Sequence, residues 1–354
     1  MKFFKKIAIV VFSTIASALV FLPQSAAANE AVGVRQITAH SEERNIDLAV
    51  TVWYPPEAGG SSVMLGESIF FVGTPAMLDA PIPNRKYPLI LLSHGAGIAG
   101  NAVATSWIAA PLANRGFIVA APTHPGNGGA SRSAAETMKL WVRPADITET
   151  LNSIIKNDFF KDHIKRDEVG MLGLSMGGGT ALAIAGAQID PVTLSRYCDT
   201  DALNASLCQW VKQSGVDLHS MDMTSAGRYN RDRRIKFVMA IDPAPVDVLA
   251  PDSLSKISIP VDLVNLGRTA EIPQTVRADG VAKVIGGSSY STIEDASHYS
   301  MFAECKPGAA KSAEIENVGD PICADGNGRP RSMIHRQLID IAVAAFKREL
   351  MQGP

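Results

Sequence analysis

The sequence predicts an α/β fold: a mostly parallel central sheet, antiparallel strands at its N-terminal side and helices on both faces. Three observations lead there. Continuous apolar runs such as "YPLILLSHG", "GFIVAAPTHP" and "DEVGMLGLS" alternate with helix-like stretches, the pattern of strands buried on both faces. Two earlier runs, "VGVRQITA" and "IDLAVTVWYP", alternate in polarity and are rich in β-branched residues, as strands of an antiparallel start would be. The length of 354 residues, 46% hydrophobic and 19% charged, suffices for one large core.

The first 28 residues stand apart. Lys2, Lys5 and Lys6 precede an apolar run from Ile7 to Leu22, Pro23 interrupts it, and Ala26-Ala27-Ala28 offers small residues for cleavage. This is the layout of a secretory signal peptide over residues 1–28, which predicts a periplasmic or secreted protein, residues 29–354, with no stable membrane insertion. The run is short for a membrane span. Without it Lys+Arg falls from 33 to 30 against 35 Asp+Glu, a net charge of −5. No basic stripe stands out, which argues against nucleic acid and anionic membrane surfaces as partners. Four cysteines in an exported chain read as two disulfides. Of three possible pairings, Cys198–Cys208 and Cys305–Cys323 each close a local loop and are expected. No C-x-x-C or His pair accompanies them, so no metal is expected.

The elements follow in order. Strands over 32–56 lead into residues 57–86, which read as a long loop because its prolines exclude a central strand, with Phe70-Phe71 as local core. A strand ending in "SHG" precedes a helix over 103–115, and "GFIVAAPTHP" precedes a helix over 134–157 with Pro144 as a possible kink. "DEVGMLGLS" then leads into a helix over 177–187. Residues 188–234 break the rhythm: they hold the first cysteine pair, a short helix around "LCQWVKQ" and the polar run "RYNRDRR". We read them as an insertion over the active-site end of the sheet and a candidate lid, a role the sequence does not decide. "RIKFVMAIDPA", "IPVDLVNLG" and "SYSTIEDASH" supply the last strands, and a helix over 330–350 closes the chain.

The chemistry concentrates in "GLSMG", a complete G-x-S-x-G over Gly173–Gly177 between a buried strand and a small-residue helix. A serine hydroxyl attacks at neutral pH only when a base removes its proton and donors receive the oxyanion. A strand-to-helix elbow lifts Ser175 above the sheet edge at a helix N-terminus, where free N–H groups favour negative charge. Its glycines keep the turn clear. The chain order of such hydrolases, serine then acid then histidine, selects His298 in "EDASHYSMF" as base. His94 and His124 precede the serine and are expected to line the same crevice. His40, His163, His219 and His335 are expected to face solvent. Two acids fit by position: Asp242 at the end of "KFVMAID", and Glu271 after the next strand. The oxyanion donors expected are the N–H of Met176, right after the nucleophile, and that of Ala96 in the loop after "LILLSHG".

Taken together, "LSHGAG", "GFIVAAPTHPG", "VGMLGLSMGG", "FVMAIDPA" and "ASHYSMF" resemble the platelet-activating-factor acetylhydrolase-like branch of the α/β hydrolases, motif by motif over residues 34–305. Bacterial members are often labelled predicted dienelactone hydrolases. The resemblance implies the α/β-hydrolase fold, no cofactor and a Ser-His-Asp triad. It implies Asp242 rather than Glu271 as acid, because the family's acid follows the strand after the nucleophile helix. It also implies Ala96 and Met176 as oxyanion donors and short acyl esters as substrates. Dienelactone hydrolases proper use a cysteine nucleophile; here Ser175 holds that place, so the label says nothing of substrate. The insertion departs from the family's pattern. Polyester or lipid cleavage through an open groove is the alternative hydrolase, and a non-catalytic binder on the same fold the alternative class.

Overall fold

Among the residues that the computed structural model describes, 31–326 and 328–351, ten strands form one sheet. They are β1 (Val32–Ser41), β2 (Ile46–Tyr54), β3 (Ser61–Leu65), β4 (Thr74–Leu78), β5 (Tyr87–Ser93), β6 (Ile118–Pro122), β7 (Ile164–Leu174), β8 (Ile235–Ile241), β9 (Val261–Leu266) and β10 (Ser289–Ile293). The sheet order is β10-β9-β8-β7-β5-β6-β2-β1-β4-β3. From β10 to β6 neighbours run parallel; β2 is antiparallel to β6, and β1 to β2. The predicted signal peptide lies outside the described residues.

Ten α-helices complete the described chain: α1 (Ser106–Asn114), α2 (Ala134–Met138), α3 (Arg143–Ile154), α4 (Met176–Ala185), α5 (Pro191–Ser195), α6 (Ala205–Gln213), α7 (Pro251–Leu254), α8 (Asp279–Val284), α9 (Ala309–Ile315) and α10 (Arg331–Leu350). Side chains alternate across a strand, so a parallel strand buried on both faces feeds two cores. Leu89, Leu91, Met171 and Val238 pack with α3 and α4; Ile90, Leu92, Leu172 and Met239 pack with α1 and α10. That double burial is why these strands carry apolar residues without alternation.

Two expectations need correction. Residues 57–86 are not one loop: β3 and β4 pair antiparallel, and β4 extends the sheet alongside β1. The prolines do exclude a central position, but Pro75 sits in β4, in the two-strand ribbon at the sheet edge. The stretch 134–157 is not one kinked helix. Pro144 opens α3, where its missing N–H costs no helical bond, and a 3₁₀ turn over Leu140–Val142 separates α3 from α2.

The insertion over 188–234 carries α5 and α6. Arg132 stacks on Trp210 of α6 with its guanidinium carbon 4.1 Å from the ring centre, and Tyr197 Oη lies 2.6 Å from Thr275 Oγ1. Both partners lie in segments that leave C-terminal strand ends, after β6 and β9. Cys198–Cys208 and Cys305–Cys323 are disulfide-bonded, with Cα separations of 5.1 and 5.9 Å. Phe70 and Phe71 pack on the segment between Phe302 and Cys323, in a small core of their own. No helix among the described residues is long and apolar enough to cross a membrane.

Candidate active site

The site begins with the turn between β7 and α4. Ser175 caps α4 with φ 53° and ψ −120°, a conformation that costs a non-glycine residue about 1–3 kcal/mol. The surroundings hold it there. Its N–H donates to Ile241 O at 3.0 Å, and its carbonyl accepts from Gly178 N at 2.7 Å and Ala244 N at 2.9 Å. A Cβ on Gly173 would strike the Gly177 carbonyl, and one on Gly177 would strike the Ser93 carbonyl. Both glycines are therefore demanded by close backbone approach, and β5, β7 and α4 meet only because of them. Gly178 and Gly179 likewise seat α4 against Pro243 and Ala244.

Ser175 Oγ lies 3.1 Å from His298 Nε2, and His298 Nδ1 lies 2.9 Å from Asp242 Oδ2. An ionised carboxylate only accepts, so the His298 proton sits on Nδ1 and Nε2 is left to accept from the serine hydroxyl. Asp242 is fully buried at the end of β8. Its Oδ1 accepts from Leu266 N at 2.8 Å and from Asn265 Nδ2 at 2.7 Å. Asn265 is itself fixed: Nδ2 donates to Val276 O and Oδ1 accepts from Ala278 N. Asn265 escaped the sequence reading, although a lone amide in the buried run "VDLVNLG" is the kind of signal that marks such a support. Glu271 stays away from this cluster; its side chain is 59% exposed and faces Arg268 at 3.8 Å.

The turn bearing His298, His298–Met301, is held from outside the sheet. Ser297 N donates to Ser300 Oγ, and Ser300 Oγ donates to Asp325 Oδ1 at 3.1 Å. Buried Arg331 ties Asp325, Ala303 O and Ile322 O together beside the Cys305–Cys323 bridge. His335 was expected to face solvent and does not. It is 5% exposed, stacks on Trp107 at 3.8 Å, and donates from Nε2 to Ser300 O and Phe302 O. Burial pulls its pKa down to about 4. The folded state therefore refuses a proton that the unfolded chain accepts near 6.5, so stability falls as pH drops from about 6.5 to 4. Between pH 7 and 5 the loss from this one group is about 2 kcal/mol. Urea midpoints of the wild type should drop over that interval by more than those of His335→Gln, and parallel curves would contradict the account.

His94 and His124 do not line the crevice. They are 0% and 1% exposed and sit beneath the loop after β5, rings 5.0 Å apart. Burial pushes both well below the usual histidine pKa, helped by the nearby Arg143 guanidinium. Arg143, 1% exposed, donates to the His94 carbonyl, Ser93 Oγ, Asn127 Oδ1 and Thr180 Oγ1. His124 Nδ1 meets Asp146 Oδ2 at 2.8 Å. Nothing local in "WVRPAD" marks Arg143 as buried; the groups it serves lie 16 to 50 residues away. Of the expected donors, Ala96 follows Gly95, on which a Cβ would lie 3.3 Å from Ser175 Cβ. Met176 is the first residue of α4, so its N–H has no acceptor within the helix.

A mostly parallel sheet, an antiparallel start and a serine on the elbow after β7 define the class: the chain has the α/β-hydrolase fold. Residues 88–193 match the family model described as alpha/beta hydrolase fold. The chain is 31% identical to platelet-activating factor acetylhydrolase of Canis lupus familiaris over a 194-position alignment, which takes in 38% of this chain and 43% of the dog protein. The match thus spans less than half the length of that relative. Among solved structures, a ferulic acid esterase from Streptomyces cinnamoneus superposes with a TM-score of 0.62 at 16% identity, covering 92% of this chain and 91% of that one. An acylaminoacyl peptidase from Pyrococcus horikoshii superposes at 0.50 with 11% identity, covering 92% of this chain and 43% of that one. The family resemblance carried by the five motifs thus agrees with these likenesses.

Proposed function

We propose that the protein is an exported serine ester hydrolase that cleaves short-chain acyl esters through an acyl-enzyme. The observation that carries this reading is the chain of contacts from Ser175 to His298 to Asp242, at 3.1 and 2.9 Å. Ser175 Oγ attacks the acyl carbon while its proton passes to His298 Nε2. The carbonyl oxygen becomes an oxyanion received by the N–H groups of Ala96 and Met176. His298 returns the proton to the departing alkoxide, leaving an ester on Ser175. Water then attacks that ester, gives a proton to His298, and the acid leaves as the serine hydroxyl reforms. Asp242 stays ionised throughout and stabilises the imidazolium.

The likeness to an acetylhydrolase and the fold of an esterase support ester cleavage. The preference for short acyl groups rests on the likeness to an acetylhydrolase. Two disulfides and the leader over residues 1–28 support export. A fluorophosphonate probe tests the reading: folded protein should be labelled once, on Ser175, as located by peptide mass. Lack of label on Ser175 would favour a binding protein on the same fold.

A further inference from the structure

We infer that His94 is a positioning residue of the oxyanion hole: it fixes the Gly95–Ala96 peptide so that Ala96 N–H faces Ser175 Oγ. The inference rests on the proposal that Ser175 is the nucleophile. It starts from a tautomer that the hydrogen bonds decide without ambiguity. The backbone N–H of His124 can only donate, and it points at His94 Nε2 at 3.0 Å. Nε2 therefore accepts, and a neutral ring must carry its proton on Nδ1. Burial of His94, beside His124 and Arg143, keeps the ring neutral. Nδ1 lies 2.6 Å from the carbonyl of Gly95 and donates to it.

That carbonyl belongs to the same peptide unit as Ala96 N–H. A trans peptide is planar, with its C=O and N–H pointing in opposite directions. Turning the Gly95 carbonyl inward to the His94 ring turns Ala96 N–H away from the ring. Gly95 abuts Ser175, with Ser175 Oγ only 3.7 Å from where a Gly95 Cβ would stand. The neighbouring peptides are gripped as well: Arg143 holds the His94 carbonyl, and Gly97 N donates to Asn127 O at 2.9 Å. Between these two held peptides lies Gly95–Ala96, and the imidazole takes its carbonyl. A donor held in place before the reaction needs no reorganisation when the oxyanion forms, which is where such donors gain their effect. Placing the proton on Nδ1 also polarises the amide, so Ala96 N–H becomes a better donor.

Two variants separate positioning from packing. In His94→Asn the side-chain NH₂ stands near the place of Nδ1 and keeps the bond to Gly95. In His94→Gln the polar end reaches the place of Nε2 and the bond to Gly95 is lost. Both leave a void, so a purely structural role lowers their thermal midpoints and activities alike. With p-nitrophenyl acetate, His94→Gln should lose at least tenfold in kcat with KM within threefold. Its inhibition constant for a trifluoromethyl ketone, which forms the tetrahedral adduct, should rise by the same factor. His94→Asn should recover most of both. Equal losses in the two variants, or an unchanged ketone affinity in His94→Gln, overturns the inference. The wild type offers a test that needs no variant: nitrogen shifts of the His94 ring should report a neutral, Nδ1-protonated imidazole, and an Nε2-protonated or charged ring overturns it. Ser175→Ala run alongside keeps the two levels apart. If it retains activity, the nucleophile assignment fails; if it is inactive while the His94 variants behave alike, only the role of His94 fails.

Discussion

Ser175→Ala should reduce turnover of p-nitrophenyl acetate by about 10⁴-fold or more, because nucleophile and base act as a unit and either alone is of little use. The fold should survive. The bonds that hold the elbow run through the Ser175 backbone, to Ile241, Gly178 and Ala244, and none through its hydroxyl. A second substitution sharpens the test. At φ 53° and ψ −120° the backbone stands where only glycine is at ease, so Ser175→Gly should be as inactive as Ser175→Ala yet melt higher. The expected gain is about 1 kcal/mol, the lower end of the strain released. Retained activity in either variant would remove Ser175 from the chemistry. A glycine variant less stable than the alanine variant would show that the elbow is not strained.

How much of this was legible beforehand differs by kind of feature. The parallel strands were plain because burial on both faces leaves no room for polar residues, and "YPLILLSHG" has none before its serine. The elbow was plain because close approach at Gly173 and Gly177 is a local demand written in adjacent positions. The edge ribbon was missed because β3 is mostly exposed and leaves a weak pattern. Burial of His94, His124 and His335 was missed for another reason. Each ring meets groups distant in sequence: the His124 N–H for His94, Asp146 for His124, and Ser300 O and Phe302 O for His335. A histidine's surroundings are a property of the assembled fold, and nothing beside it in the chain announces them. The acid stood in between: position alone left Asp242 and Glu271 open, and only the family resemblance favoured Asp242.

Asp242→Asn should lower kcat by about 10⁴-fold with little change in folding, whereas Glu271→Gln should stay within twofold. The argument turns on which atom of the new amide faces which partner. One side of the Asp242 carboxylate faces two donors, Leu266 N–H and Asn265 Nδ2. The amide oxygen of asparagine must stay there, since turning its NH₂ toward those donors would leave them unpaired in a fully buried place. The NH₂ then faces His298 Nδ1, 2.9 Å away in the wild type, and that nitrogen becomes an acceptor. The imidazole proton moves to Nε2, the atom that has to take the proton of Ser175 Oγ. The base is thus present, correctly placed and in the wrong tautomer, so the loss should fall on kcat with KM nearly unchanged. Glu271 faces solvent and Arg268, so neutralising it removes only an exposed ion pair of small worth. A loss above tenfold in Glu271→Gln, or activity within tenfold of wild type in Asp242→Asn, would transfer the acid's role away from Asp242. The two substitutions are isosteric, so a reversed outcome has no packing change to hide behind.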